Sequence, residues 1–212
     1  MKMSSKSRLI VPVKNLEESK TSFSDVLSSG QRQDLTLSML EDVLRVAKRI
    51  EKIDTAVVTP DEKVKNFVKD QSVEVISEPG VGLIRALEIA LGDSVDSSYE
   101  EVLILPGDVP LLKGEDIEDI LDLAVGERCV VITPSKENGT NALLLRPPNV
   151  IDLHYGGESF PEHVKEARER EVNLRIYRSD NLERDIDDPP DLIKVETLGK
   201  GTRTHSFINT LK

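Results

Sequence analysis

The chain has 212 residues, is 38% hydrophobic, and carries 39 acidic against 28 basic residues, for a formal net charge of -11. This length is enough for one domain with a substantial core and too short for two large ones. The negative charge argues against binding to polymeric nucleic acid or to an anionic membrane surface, because both ligands select clustered Lys and Arg. Any nucleic-acid ligand is therefore expected to be a mononucleotide.

The N-terminus and the rare residue types predict a cytoplasmic protein without zinc or disulfide chemistry. The first apolar stretch, residues 9–13, is too short for a secretory signal or a membrane span. Cys129 is the single cysteine and lies in an apolar run, which predicts a buried, inert thiol. The three histidines, His154, His163 and His205, lack metal-ligand spacing, and their polar neighbours favour solvated or capping side chains.

Hydrophobic patterning predicts an alternation of strands and helices through the first two thirds of the chain. Strands are predicted at residues 9–13, 55–60, 73–76, 102–105 and 128–133, and helices at residues 31–50, 61–69, 83–91 and 115–125. Pro12 marks a terminal or edge position of the first strand, and residues 92–100 are predicted to be a polar linker. Four β-then-α units followed by a fifth strand favour an α/β fold, with a mostly parallel, doubly wound central sheet flanked by helices.

Two loops in this half carry residues suited to anionic ligands. The loop after the first strand contains Lys14 and Lys20. Gly80 and Gly82 precede the third predicted helix, where backbone N–H groups and the helix N-terminus favour an anion. A Gly-x-Gly pair is a weak signal, and a plain tight turn is the alternative for these glycines.

The strand at residues 102–105 is predicted to lie at the centre of the sheet, because four consecutive apolar residues suit a strand buried on both faces. It runs into the turn Pro106-Gly107-Asp108. Ligands of open α/β sheets bind where such strands end, so Asp108 is predicted at the mouth of a site. The alternative, that Asp108 only accepts N–H bonds within the turn, fits the local sequence equally well.

The second half offers two further candidate anion sites. Thr140 and Asn141 lie in the turn 138–141, and their side chains are of the kind that holds a phosphate or carboxylate, although a plain hairpin loop is the alternative. Gly156 and Ser159 lie just before a predicted helix at residues 161–170, as in anion-binding loops.

The last part of the chain contains a strand candidate, an acidic cluster and a tail. The strand is predicted at residues 174–177. Four aspartates within residues 185–191 precede a short helix, and such a cluster repels itself unless a cation or N–H donors balance it. Residues 199–212 give no chemical signal.

The chain has neither a P-loop nor a Gly-x-Gly-x-x-Gly dinucleotide motif. It does contain five motifs in a fixed order, and this ordered set is more specific than any one of them. The motifs are Val11-Pro12-Val13-Lys14 with Ser19-Lys20, Leu105-Pro106-Gly107-Asp108, Gly139-Thr140-Asn141-Ala142, residues 156–160, and Asp185-Ile186-Asp187-Asp188-Pro189. Together they resemble the 2-phospho-L-lactate guanylyltransferase family, archaeal enzymes that make the guanylylated precursor of the F(420) deazaflavin coenzyme.

This resemblance implies a single nucleotidyltransferase domain of the type shared with molybdenum-cofactor guanylyltransferases. Residues 1–137 would form the nucleotide-binding half, residues 138–198 the acceptor-binding half, and residues 199–212 a tail. The implied reaction condenses GTP with 2-phospho-L-lactate, or with phosphoenolpyruvate as in some relatives, to give lactyl-2-diphospho-5'-guanosine (or its counterpart) and pyrophosphate. Magnesium is the implied cofactor.

The resemblance also implies roles for individual residues. Asp108 and Asp187 would hold Mg²⁺, with Asp188 left open as the alternative second ligand. Lys14 and Lys20 would contact the triphosphate. The remaining nucleotide-binding candidates are Pro12, Gly80 and Gly82, and the acceptor-binding candidates are Thr140, Asn141, Gly156 and Ser159.

Three other functions remain compatible with the sequence alone. They are another nucleotidyltransferase of the same fold, acting on a molybdenum-cofactor or sugar-phosphate acceptor, a glycosyltransferase, and a non-catalytic nucleotide-binding protein. Base selectivity, the number of metal ions and the oligomeric state, with a homodimer as one option, are left open.

Overall fold

The computed structural model describes residues 6–71 and 73–212, and within these ranges seven strands form one sheet. The strands are β1 (Ser7–Pro12), β2 (Ile53–Thr59), β3 (Glu74–Ser77), β4 (Glu101–Ile104), β5 (Cys129–Pro134), β6 (Thr140–Arg146) and β7 (Asn173–Ile176). Their order across the sheet is β3-β2-β1-β4-β6-β5-β7. The prediction of a mostly parallel sheet with residues 102–105 at its centre is confirmed, and Pro12 ends its strand without marking an edge.

Strand β6 is the exception to the parallel arrangement, because it runs antiparallel to both β4 and β5. Only residues 135–139 connect β5 to β6, and a parallel return needs a crossover of about a dozen residues or more. Residues 138–141 therefore belong to a β-hairpin, as the alternative for that turn proposed. Thr140 and Asn141 are the first residues of β6.

Seven α-helices accompany the sheet in the described ranges: α1 (Ser29–Ala47), α2 (Glu62–Lys69), α3 (Leu83–Asp96), α4 (Gly114–Leu123), α5 (Ser159–Glu169), α6 (Asp191–Leu198) and α7 (Arg203–Asn209). The predicted linker at residues 92–100 is wrong in its first half, since α3 continues to Asp96. Ser94 explains the error: this polar residue is buried, and its hydroxyl donates to the Ala90 carbonyl within the helix.

The core lies on both faces of the sheet, as a doubly wound fold requires. Along β1, Leu9 and Val11 pack on the face covered by α1, α2 and α4, while Ile10 packs on the face covered by α3 and α5. Residues 102–105 are buried throughout, as predicted for a strand covered on both faces. Cys129 is also buried, as predicted, and burial raises the pKa of its thiol, which disfavours the reactive thiolate.

The C-terminal tail, which carried no sequence signal, forms α7 and packs on α1. Thr202 caps α7, because its hydroxyl accepts the N–H of His205. A third apolar cluster joins this region to the loop after β1 and includes Phe23, Ile186 and Ile208. None of the helices in the described part of the chain is both long and apolar enough to cross a membrane.

Candidate functional site

A cavity of about 810 Å³ opens at the carboxyl ends of the parallel strands, and its size suits a small-molecule ligand. Loops after β1, β2, β3 and β4 line it, together with the loop before α6. The predicted nucleotide-binding and metal-binding residues all line this one cavity: Pro12, Lys14, Lys20, Gly80, Gly82, Asp108 and Asp187. Their roles in binding stay predictions, but the fold does bring them together.

Lys20 connects the two predicted metal ligands. Its Nζ lies 2.7 Å from Asp108 Oδ2 and 3.0 Å from Asp187 Oδ1. The lysine side chain is only 9% exposed. Burial by itself would lower the pKa of Lys20, but the two carboxylates outweigh it and raise the pKa above the ordinary lysine value.

The loop that carries Asp187 is joined to the turn that carries Asp108. The backbone N–H of Ile186 donates to the Asp108 carbonyl at 3.1 Å. The hydroxyl of Ser22, beside Lys20, donates to the Asp187 carbonyl. Three segments that are far apart in the sequence are therefore linked by hydrogen bonds to backbone carbonyls as well as by the ion pairs.

Asp191 holds the acidic loop in place from its other side. Its Oδ2 accepts the backbone N–H groups of Asp187 at 3.2 Å and Asp188 at 3.1 Å, and its Oδ1 accepts from Lys136 Nζ at 3.0 Å and Lys194 Nζ at 2.9 Å. Burial would raise the pKa of Asp191, but the two lysines and the N–H donors lower it to about 2. The acidic cluster is balanced by cations and N–H donors, as the sequence required.

Asp185 lies close enough to Asp108 and Asp187 to be affected by their charges. Burial, reinforced by the negative charges of Asp187 and Asp108, raises the pKa of Asp185 to about 7. No group of three or more His, Cys, Asp or Glu side chains arranged to hold a metal occurs in residues 6–71 and 73–212. Two carboxylates that already share one ammonium nevertheless fit Mg²⁺, which is commonly held by one or two carboxylates plus substrate phosphates.

The glycine loop before α3 is a tight turn at the cavity wall. Gly80 and Gly82 have φ of +79° and +89°, a region that other residues rarely adopt. The Glu78 carboxylate accepts the N–H groups of Gly80 at 2.7 Å and Val81 at 3.1 Å. The Gly80 N–H is therefore engaged within the turn, as the alternative for this loop proposed, while Gly82 begins the helix at the cavity.

The predicted acceptor-binding side chains differ from expectation, because they bond one another inside the protein. Thr140, Asn141 and Ser159 are buried, and none lines the cavity. The Ser159 hydroxyl donates to Thr140 Oγ1 at 3.1 Å, and Asn141 Nδ2 donates to the Leu182 carbonyl at 2.7 Å. Gly156, in contrast, is exposed with φ of +111°.

Although they are internal, these residues lie at the same edge of the sheet as Asp108. β6 runs antiparallel to β4, with Leu143 paired to Ile104, so that β6 begins beyond the carboxyl end of β4. Thr140 therefore lies level with the turn that carries Asp108.

His163 corrects the prediction of a solvated or capping histidine, because it is fully buried in α5. Its Nε2 accepts the backbone N–H of His154 at 2.9 Å, so Nδ1 carries the proton and donates to Thr140 Oγ1 at 3.0 Å. Burial, and secondarily the nearby His154, lowers the pKa of His163 to about 4. The sequence did hold a signal for this, since His163 shares a helical face with Ala167.

A pH-dependent loss of stability is expected from His163. The unfolded chain binds a proton on this residue below pH 6.5, whereas the folded protein binds it only near pH 4, so stability falls as the pH decreases through that window. At pH 4.5 the loss is on the order of 2 kcal/mol. Urea unfolding at pH 7 and pH 4.5 should show a smaller difference for His163→Gln than for the unsubstituted protein.

The control for this measurement is His205→Gln, which alters a partly exposed histidine in α7. This variant should keep the full difference between the two pH values. The same difference in His163→Gln as in the unsubstituted protein would show that other groups cause the pH dependence.

Comparison with known proteins gives consistent matches over nearly the whole chain. A family model described as "Guanylyl transferase CofC like" matches residues 7–212. The chain is 37% identical over 205 residues to the 2-phospho-L-lactate guanylyltransferase of Methanocaldococcus fervens, covering 96% of this chain and 91% of the relative. It is 32% identical over 191 residues to the phosphoenolpyruvate guanylyltransferase of Thermobaculum terrenum, covering 90% and 83% respectively.

Solved structures with low sequence identity share the fold. A protein from Desulfovibrio desulfuricans G20, named provisionally as a nucleotide-diphospho-sugar transferase, superimposes with a TM-score of 0.80 at 17% identity, over 97% of this chain and 95% of that one. A 4-diphosphocytidyl-2C-methyl-D-erythritol synthase gives a TM-score of 0.65 at 14% identity, over 93% of this chain and 100% of that one. The predicted nucleotidyltransferase fold is therefore confirmed.

Proposed function

Because the chain belongs to the guanylyl transferase CofC-like family and is a nucleotidyltransferase, we propose that it transfers GMP from GTP to the phosphate of 2-phospho-L-lactate or phosphoenolpyruvate. The products are a guanylylated diphosphate and pyrophosphate, in deazaflavin coenzyme biosynthesis. The observation that supports this most is the meeting of Asp108, Lys20 and Asp187 in a cavity of nucleotide size. A cytoplasmic location and a homodimer stay predictions.

The proposed chemistry needs no general base, because the acceptor phosphate is already an anion when it attacks the α-phosphorus in line. Catalysis then depends on positioning and on neutralisation of charge. Lys14 and Lys20 line the cavity and would offset the charge of the triphosphate and of the leaving pyrophosphate. Asp108 and Asp187 would hold Mg²⁺, which supplies further charge neutralisation at the phosphates.

For the acceptor, we propose a site beside the loop that contains Gly156. Thr140 and Ser159 bond each other and, through His163, support this loop against β6. The hydrogen bond from the His154 N–H to His163 fixes the start of the loop. Exposed glycine backbone is suited to meeting a phosphate or carboxylate, while the hydroxyls act by shaping the loop.

The decisive experiment supplies GTP and Mg²⁺ with either phospholactate or phosphoenolpyruvate and identifies the product by mass spectrometry. We expect a guanylylated diphosphate and pyrophosphate with at least one of the two acceptors. Parallel reactions contain CTP with the same acceptors, and GTP with a sugar phosphate. Product formation only with CTP or only with a sugar phosphate would replace the proposal by another nucleotidyl transfer, and nucleotide binding without turnover would contradict an enzymatic role.

A further inference from the structure

Lys20 occupies the position where a cation bound by Asp108 and Asp187 would lie. Its ammonium is within hydrogen-bonding distance of one oxygen of each carboxylate, at 2.7 and 3.0 Å. The lysine side chain is 9% exposed, whereas the side chains of Asp108 and Asp187 are 28% and 62% exposed, so a buried ammonium is paired with two carboxylates that face the cavity.

We propose that Lys20 is a displaceable internal counter-ion, which substitutes for the divalent cation in the free protein and moves onto the nucleotide phosphates when the cation binds. The inference rests on the proposed function, because it concerns the same site. A divalent cation and an ammonium held by the same two oxygens would lie within a few ångström of each other and repel strongly. One of the two cations must therefore leave the carboxylates. We expect the Lys20 ammonium to leave, because it is carried on a flexible side chain.

The surrounding structure fixes the backbone of Lys20, while its side chain lines the cavity. The residue has φ of 51° and ψ of 44° at the start of a short 3₁₀ turn. Leu16 on one side and Phe23 on the other are buried and hold this segment. Phe23 shares its apolar cluster with Ile186, which is also bonded to Asp108. The four-carbon stem of lysine lets the ammonium swing by several ångström without any backbone change.

Two consequences follow for ligand binding. Without nucleotide, Lys20 keeps the two carboxylates together but competes with the divalent cation, so metal affinity is low. With nucleotide present, the triphosphate offers the ammonium a new partner, so metal and nucleotide strengthen each other's binding. The coupling is reciprocal, and a fraction of it depends on Lys20.

The test measures binding of Mn²⁺, used as a probe for the Mg²⁺ site, to the nucleotide-free protein by electron paramagnetic resonance. Lys20→Met should bind Mn²⁺ about tenfold more tightly than the unsubstituted protein, which corresponds to about 1.4 kcal/mol. Lys14→Met removes the same charge from an exposed position of the same cavity and should change Mn²⁺ affinity less than about threefold. Lys20→Arg keeps the charge and should not bind Mn²⁺ more tightly.

Two further measurements make the outcomes decisive. Adding Asp108→Asn to Lys20→Met should abolish the gain, which places the tighter Mn²⁺ at this site. Thermal unfolding of Lys20→Met verifies that the measured protein is folded, and if it is not, Lys20→Gln is measured in its place. Equal or weaker Mn²⁺ binding in the folded Lys20 variant would overturn the inference, since lysine and metal would then bind together.

This readout does not depend on turnover, so the two proposals fail separately. A tenfold gain in Mn²⁺ affinity without any guanylyl transfer would contradict the proposed function and leave the counter-ion role in place. Guanylyl transfer without a gain in Mn²⁺ affinity would support the proposed function and contradict the counter-ion role of Lys20.

Discussion

Replacing Asp108 by Asn is expected to reduce guanylyl transfer by about 10²- to 10³-fold, equivalent to about 3 to 4 kcal/mol of transition-state stabilisation. The amide lacks the negative charge that would hold Mg²⁺ against the phosphates and that attracts Lys20. The backbone carbonyl of residue 108 still accepts the N–H of Ile186 in this variant, so the loop that carries Asp187 should keep its position. Steady-state kinetics and thermal unfolding on the same preparation separate activity from folding.

Asp188→Asn is the matched control, because it makes the same chemical change in the same acidic loop. Asp187 is the residue that shares the ammonium with Asp108, so we expect Asp187→Asn to reduce turnover strongly and Asp188→Asn to reduce it less than about tenfold. Loss of stability with normal turnover in Asp108→Asn would instead identify Asp108 as a turn residue, the alternative that the sequence left open.

Asp42→Ala is expected to cost about 3 kcal/mol of stability, because it removes a buried carboxylate that fixes the C-terminal helix. Asp42 lies in α1 and is 2% exposed. Its oxygens accept the backbone N–H groups of Arg203 at 2.7 Å and Thr204 at 2.8 Å, and the Thr204 hydroxyl at 2.7 Å. These N–H groups open α7, where a negative charge is also favoured by the helix dipole.

Urea unfolding monitored by circular dichroism measures this loss. Asp42→Asn keeps one acceptor oxygen and should cost less than Asp42→Ala. Asp34→Ala, at an exposed position of the same helix, should change the free energy of unfolding by less than about 0.5 kcal/mol. A similar loss for Asp34→Ala and Asp42→Ala would mean that helix composition is responsible and that the contact with α7 contributes little.

The sequence predicted the parts of the fold that depend on local patterning. The apolar run 102–105 identified the central strand, and the turn after it placed Asp108 correctly at the carboxyl edge. The antiparallel direction of β6 entered only as the hairpin alternative for residues 138–141, because the apolar residues 142–145 look the same in either direction and only the short connection decides it. Likewise, the burial of Ser94 extends α3 through residues that look like a polar linker.

The sequence predicted which residues form the site more fully than it predicted the contacts among them. The motifs that resemble the guanylyltransferase family identified Lys20, Asp108 and Asp187, but no local pattern shows that one lysine bridges two aspartates so distant in the chain. The Thr140 and Ser159 hydroxyls looked available for a ligand, because the contacts that engage them form only when α5 packs on the sheet: His163 bonds Thr140, and Ser159 donates to Thr140.

The pairing of Lys20 with Asp187 also sets the order in which the sheet and the cation site can form while the protein is being synthesised. These residues are 167 positions apart, and a ribosome that adds about 5 to 20 residues per second needs about 10 to 30 s to synthesise the intervening chain. During that interval β1 to β4 can already assemble, with Lys20 and Asp108 in contact but without the second carboxylate. The nascent chain can therefore acquire four of its seven strands well before it has both carboxylates of the cation site, so that the site is complete only near the end of translation.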